Sequence, residues 1–197
     1  MTKRIFDILI ASILLILSSP IILLVALLVR CNLGAPIFFR QKRPGLHGAI
    51  FQIIKFRTMQ EIVDQNGGVI ADSGRITRLG AFLRASSLDE LPELWNVIKG
   101  EMSLVGPRPL LVEYLPLYNE QQKRRHELKP GITGLTQISG RNALDWNDKF
   151  DLDVWYVDNQ SLWLDIKILF LTVKKVLLQE GITSNGSVSA EKFTGND

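Results

Sequence analysis

Residues 8–29, ILIASILLILSSPIILLVALLV, contain no charged side chain and are dominated by Ile, Leu and Val. At about 1.5 Å of rise per residue such a run spans roughly 33 Å, enough to reach across a hydrocarbon core. Within lipid a single segment can satisfy its backbone hydrogen bonds only as helix, so one apolar helix is fixed before any other element is considered. A secretory signal fits less well. The run exceeds the roughly 7–15 residues of an h-region, and no small-x-small site followed by a polar start comes after it.

Ser18, Ser19 and Pro20 interrupt the middle of this run. Proline removes one backbone hydrogen bond and clashes with the preceding turn, so a bend is expected there. Lys3 and Arg4 precede the segment, and Arg30, Arg40, Lys42 and Arg43 follow it. Each end therefore prefers the cytoplasmic side, which a helix-break-helix that dips in and returns satisfies and a straight span does not. The residues alone leave a plain kinked span open as well.

The remaining chain is long enough for one domain with a core, since the 197 residues are 46% hydrophobic. A net charge of +3 and a pI near 9.1 suit an anionic partner without naming it. The single cysteine, Cys31, excludes an internal disulfide, and His47 and His126 are too far apart to read as a zinc pair.

PIFFRQKRPGLHGAIFQIIKFRTM reads as a β-hairpin turning at Pro44, Gly45 and Gly48. Phe51, Ile53, Lys55 and Arg57 share one parity, which places both cations on one face as a candidate phosphate-facing pair. Residues 60–74 read as a polar loop, mobile or ordered by substrate. Residues 75–100 have a helical pattern with Gly100 as C-cap. Ser87 and Glu90 fit a capping box, but Pro92 falls where a helix would need its N–H, so the helix should bend or restart beside Asp89 and Glu90.

Arg108 lies between Pro107 and Pro109, a stiff mount for a guanidinium. Residues 114–129 read as a charged, solvated or headgroup-facing helix. PGITGLTQISGRN can bring backbone N–H groups and Arg141 against a phosphate. The apolar stretch 161–179, broken by Asp165, Lys167, Lys174 and Lys175, reads as an interfacial helix with Trp163 near headgroup level, with a buried core helix as the alternative. The last residues, 183–197, read as a polar tail that frays. Paired carboxylates among Lys55, Arg57, Arg84, Arg108 and Arg141 form an inventory for holding a diphosphate with a divalent ion at a membrane surface.

The order SSP within an N-terminal apolar helix, KFRTM, SLDELPELWNVIKGEMSLVGPRPLLVEYLPLYN, KPGITGLTQISGRN and a closing EKFTGND resembles the monotopic phosphoglycosyl transferases of the bacterial sugar transferase family, over essentially the whole chain. The likeness is strongest to the small single-domain members that act in bacterial N-glycosylation.

It implies an α+β, mainly helical monotopic membrane protein. Residues 1–30 would form a re-entrant helix broken at Ser19 and Pro20. Residues 31–182 would be a catalytic domain, with interfacial amphipathic helices and a small β-hairpin, on the cytoplasmic face of the bacterial inner membrane. Residues 183–197 would be the tail. The activity implied is transfer of a sugar 1-phosphate from a UDP-sugar to polyprenyl (undecaprenyl) phosphate, with release of UMP, as the first membrane step of glycoconjugate biosynthesis.

Asp89 would be the nucleophile, through an aspartyl-phosphosugar. Glu90 would hold Mg²⁺, and Arg84, Arg108 and Arg141, with Lys55 and Arg57, would contact phosphate. UDP-di-N-acetylbacillosamine is the leading donor, with UDP-N-acetylhexosamines next. Membrane lipid and downstream glycosyltransferases are expected partners, and nucleic acid is not. The competing readings are a glycosyltransferase that releases UDP and a membrane-anchored scaffold without catalysis.

Overall fold

The first helix, α1 (Thr2–Leu33), absorbs the whole apolar segment. The computed structural model describes residues 2–60, 72–140, 144–178 and 192–195. The helix continues through Pro20, where the sequence suggested a break. Two serine hydroxyls serve the turn that proline disturbs: Ser18 donates to the Leu14 carbonyl (2.6 Å) and Ser19 to the Ile16 carbonyl (2.8 Å). Ile16 is the residue whose carbonyl an N–H at position 20 would have reached, so Ser19 fills the vacancy that proline leaves.

Both ends of α1 are fastened to the same body. Near the start, Lys3 pairs with Asp165 (2.6 Å), and Arg4 donates to the Val97 and Ile98 carbonyls. Buried Asp7 accepts from the Ser103 hydroxyl and the Leu104 N–H. At the far end the Arg57 guanidinium donates to the carbonyls of Leu33, Gly34 and Ala35. Between these fastenings Ile16, Leu17 and Leu23 are each about 70% exposed, an apolar surface that belongs in lipid rather than water. Among the described residues α1 alone is long and apolar enough to cross a membrane.

Strands β1 (Phe38–Pro44) and β2 (Ile50–Phe56) form the expected antiparallel hairpin, paired from Phe38 opposite Phe56 to Pro44 opposite Ile50. Then come α2 (Asp72–Arg75), α3 (Arg78–Ala85) and α4 (Glu93–Lys99), the last ending in a left-handed Gly100 as foreseen. Strand β3 (Ser103–Val105) pairs in parallel with β4 (Gly131–Thr133). Between them lie α5 (Glu120–Lys123) and two 3₁₀ turns. Helices α6 (Leu135–Ser139), α7 (Trp146–Asn159) and α8 (Leu162–Leu178) follow.

Three apolar clusters hold these elements. Ala11 of α1 joins Phe51, Ile53, Leu94, Val97, Leu104, Tyr156 and Ile168 in the main core. Val25 and Val29, at the other end of α1, pack with Phe56 and Leu83. Tyr114, Tyr118 and Phe150 enclose Phe193, with Trp146 against them. Phe193 departs from the expected polar tail: it is buried among these rings, and its N–H donates to the Tyr114 hydroxyl.

Two charged segments also differ from expectation. Asp165 is fully buried rather than at an interface, held by Lys3, Tyr156 and Gln160. Elsewhere α8 buries Ile168 in the core and exposes Trp163, Phe170 and Val173. Arg125, read as part of a solvated face, is buried against Asp153.

Candidate active site

The chain between α3 and α4 is too short for a loop and too irregular for one helix. Ser87 adopts φ +56°, a left-handed conformation that ordinarily favours glycine, and Leu88–Glu90 then form a single 3₁₀ turn before Pro92 leads into α4. The expected capping box does not form. The Ser87 side chain makes no cap bond, the Glu90 N–H donates to the Ser87 carbonyl, and the Glu90 carboxylate is used elsewhere. The restart at Pro92 does occur. In a 3₁₀ turn successive residues diverge by about 120°, so Asp89 and Glu90 face different neighbours.

Glu90 Oε1 sits 2.6 Å from Lys55 Nζ and 3.0 Å from Arg108 Nη2. Lys55 reaches it because α4 is pinned to β2: buried Asn96 accepts from the Ile54 N–H (3.1 Å) and donates to the Gln52 carbonyl (2.7 Å), as a neighbouring strand would. Burial alone would raise the Glu90 pKa, but Lys55 and Arg108 outweigh it and hold the carboxyl down at about 2.

Asp89 lies in the opposite situation. Burial, followed by the Glu90 charge, lifts it to about 6 against the pull of Lys55, Arg84 and Arg108. Arg84 stands on α3 with its Nε donating to the Thr58 hydroxyl (3.0 Å). Helix α3 comes that close because Gly80 lies on the Thr58 carbonyl, where a Cβ would fall 1.9 Å away.

Arg108 is held from behind as well as by its prolines. Its carbonyl accepts from Arg125 Nη2 (2.7 Å), while Arg125 pairs with Asp153 (2.6 Å) and Asp153 accepts from the Thr136 hydroxyl (2.6 Å). Arg43 donates to the Pro109 carbonyl. The Pro-Arg-Pro mount is thereby bonded to the hairpin, to α7 and to the glycine-rich segment.

Lys55, Arg84 and Arg108 thus gather around the two carboxylates. Arg57, expected beside Lys55 on the same face, is taken instead by the carbonyls that end α1, because the hairpin brings its last residue against Leu33. Arg141 lies outside the described residues, as does most of the polar loop at 60–74.

Sequence reasoning passed over Glu93, Asn96 and Arg125. Glu93 is only 2% exposed, 3.0 Å from Lys55, and burial with the Glu90 charge raises it to about 7. Its three-residue spacing from Glu90 at the start of an apolar helix was the available signal.

The donor set also bears on a divalent ion. Among the described residues no three His, Cys, Asp or Glu side chains group as a metal cage. Mg²⁺ is ordinarily held through one or two carboxylates together with substrate phosphate oxygens. Glu90, an oxygen donor beside phosphate-type cations, fits an ion that arrives with its phosphate.

The family model for bacterial sugar transferases matches residues 1–179. The uncharacterized sugar transferase EpsL of Bacillus subtilis is 57% identical over 98% of this chain and 96% of its own. The undecaprenyl-phosphate galactose phosphotransferase of Salmonella typhimurium is 41% identical over 91% of this chain, which spans 41% of that protein. The UDP-glucose:undecaprenyl-phosphate glucose-1-phosphate transferase of Klebsiella pneumoniae is 43% identical, with 88% of this chain aligned to 39% of its length. By the extent of the family match and the near-complete overlap with EpsL, the chain belongs to the bacterial sugar transferase family.

Proposed function

We propose that the protein transfers a sugar 1-phosphate from a UDP-sugar to polyprenyl phosphate at the membrane surface, releasing UMP, with Asp89 as nucleophile. The observation that carries this reading is the turn at Asp89 and Glu90: a buried carboxylate whose neighbour is held ionised by Lys55 and Arg108, on a body fastened to an apolar helix. The names of the Salmonella and Klebsiella relatives supply the acceptor class, undecaprenyl phosphate.

An Asp89 oxygen attacks the sugar-bearing phosphorus while the phosphoanhydride bond breaks, and the bridging oxygen leaves with its electron pair on UMP. The polyprenyl phosphate oxygen then attacks the same phosphorus. The acyl-phosphate bond breaks, the carboxylate returns and the polyprenyl-diphosphate sugar departs. Asp89 needs no general base, because a carboxyl near 6 is mostly ionised at neutral pH. Lys55, Arg84 and Arg108 neutralise and orient the diphosphate as charge shifts to the leaving UMP. Mg²⁺, when bound through Glu90, supplies further neutralisation of phosphate charge.

The same reading places both ends of α1 on the cytoplasmic side. Lys3, Arg4 and Asp7 at one end and Leu33 at the other bond to the same body, and the apolar middle lies between them. Downstream glycosyltransferases would extend the product.

Nucleotide release by the detergent-solubilised protein tests the proposal, with Mg²⁺, polyprenyl phosphate and a donor panel. UDP-di-N-acetylbacillosamine leads the panel from the N-glycosylation likeness, followed by UDP-N-acetylhexosamines. UDP-galactose and UDP-glucose join it from the relatives' names. UMP from wild type and none from Asp89→Asn is the expected result. Release of UDP would make the protein an ordinary glycosyltransferase, and UMP release by a folded Asp89→Asn protein would remove Asp89 from the chemistry.

A further inference from the structure

Lys55 stands between two carboxylates, and the transfer scheme uses only one of them. Its Nζ is 2.6 Å from Glu90 Oε1 and 3.0 Å from Glu93 Oε1. Glu93 Oε1 is buried, with the Lys55 ammonium at ion-pair distance. Burying a carboxylate costs free energy, and a neutral side chain at the first position of α4 would avoid the cost. The groups acting on Glu93 are Lys55 from β2, Glu90 from the 3₁₀ turn, and Arg108 and Arg43 from the segments on either side.

If Glu90 engages a divalent cation through Oε1, the oxygen that Lys55 and Arg108 share, its bond to Lys55 has to yield. An ammonium stripped of its partner in a buried site is strongly unfavourable, and it would also repel the arriving ion. Glu93 Oε1 already lies within ion-pair distance of the same ammonium.

We propose that Glu93 is a positioning residue that receives the Lys55 ammonium when Glu90 turns to a divalent cation, so that Lys55 stays beside the phosphate site without competing with the ion. This rests on the phosphoglycosyl-transfer reading in assigning the ion to Glu90.

The test uses the full chain in detergent with UMP present and Mn²⁺ as the probe, free Mn²⁺ being read by electron paramagnetic resonance. Glu93→Gln is expected to weaken Mn²⁺ binding about five- to tenfold, in the range of coupling between contacting groups. In turnover, the Mg²⁺ concentration for half-maximal rate should rise by the same factor. In a Lys55→Met background Glu93→Gln should have no further effect on Mn²⁺ affinity, since Glu93 acts through Lys55.

Melting curves establish that each variant is folded. Should Glu93→Gln not fold, Glu93→Asp, which keeps the charge one methylene short, should show the same dependence on Lys55. Unchanged Mn²⁺ affinity in Glu93→Gln overturns the proposal, as does an equal loss persisting in Lys55→Met or a wild type that binds no Mn²⁺. Absence of UMP release from every donor would instead defeat the transfer reading, because the Lys55–Glu93 coupling is measured by binding without turnover.

Discussion

Burial and the adjacent Glu90 charge lift Asp89 to about 6, well above an exposed aspartate, and two consequences separate a nucleophile from a structural carboxylate. Transfer requires the ionised form, so kcat/KM should be full above that value and fall as pH drops through about 6, rather than near 4. A pH–rate profile at saturating Mg²⁺ checks this. The second consequence concerns stability. A carboxyl whose folded pKa is raised binds more protons folded than unfolded, so its ionisation works against the fold as pH rises toward 6 and beyond. Asp89→Asn should therefore melt at or above the wild-type temperature at pH 7.5 while losing activity, whereas a helix-capping aspartate would lose about 1 kcal/mol on the same change. The presence of these acids at a helix restart was legible from Pro92. Their electrostatics were not, because Lys55 and Arg108 reach Glu90 from 35 and 18 residues away.

At the scale of elements, α1 and the hairpin were legible because each carries its own local pattern: an uncharged apolar run in one, alternation about a Pro-Gly turn in the other. Destinations of single side chains were harder to read. Arg57 shares parity with Lys55, yet the carbonyls ending α1 claim it, and nothing local to the strand signals that a helix C-terminus lies alongside. The capping box failed for a related reason, since Glu90 found stronger partners than a backbone N–H. For α1, single cysteines at Thr2 and Asn32 in a Cys31→Ser background should label from the same face of intact inner-membrane vesicles; labelling from opposite faces would make α1 a span. Asn96 offers a test of how α4 is set against β2. Asn96→Ala takes its partner from the Ile54 N–H and the Gln52 carbonyl, which should cost about 1–3 kcal/mol and lower transfer by displacing Lys55, read by melting and by KM for the UDP-sugar.

Across the whole molecule, the Arg125–Asp153 pair joins the Pro-Arg-Pro mount, α7 and the glycine-rich segment. Both side chains are at most 4% exposed, so Asp153→Ala leaves a buried guanidinium unpaired and should cost about 3–5 kcal/mol, visible as a lowered melting temperature. No periodicity reveals such a pair, because its members lie 28 positions apart, Arg125 in a stretch that reads as uniformly charged. The fastening of α1 spans the chain still more widely, with 162 positions between Lys3 and Asp165. At 5–20 residues per second a ribosome makes the two roughly 10–30 s apart. In that interval the partners of Arg4 and Asp7 are made first and the acid that pairs with Lys3 last. A nascent chain arrested before residue 165 should therefore resist alkaline extraction while its Lys3 end is more open to protease than in the full chain.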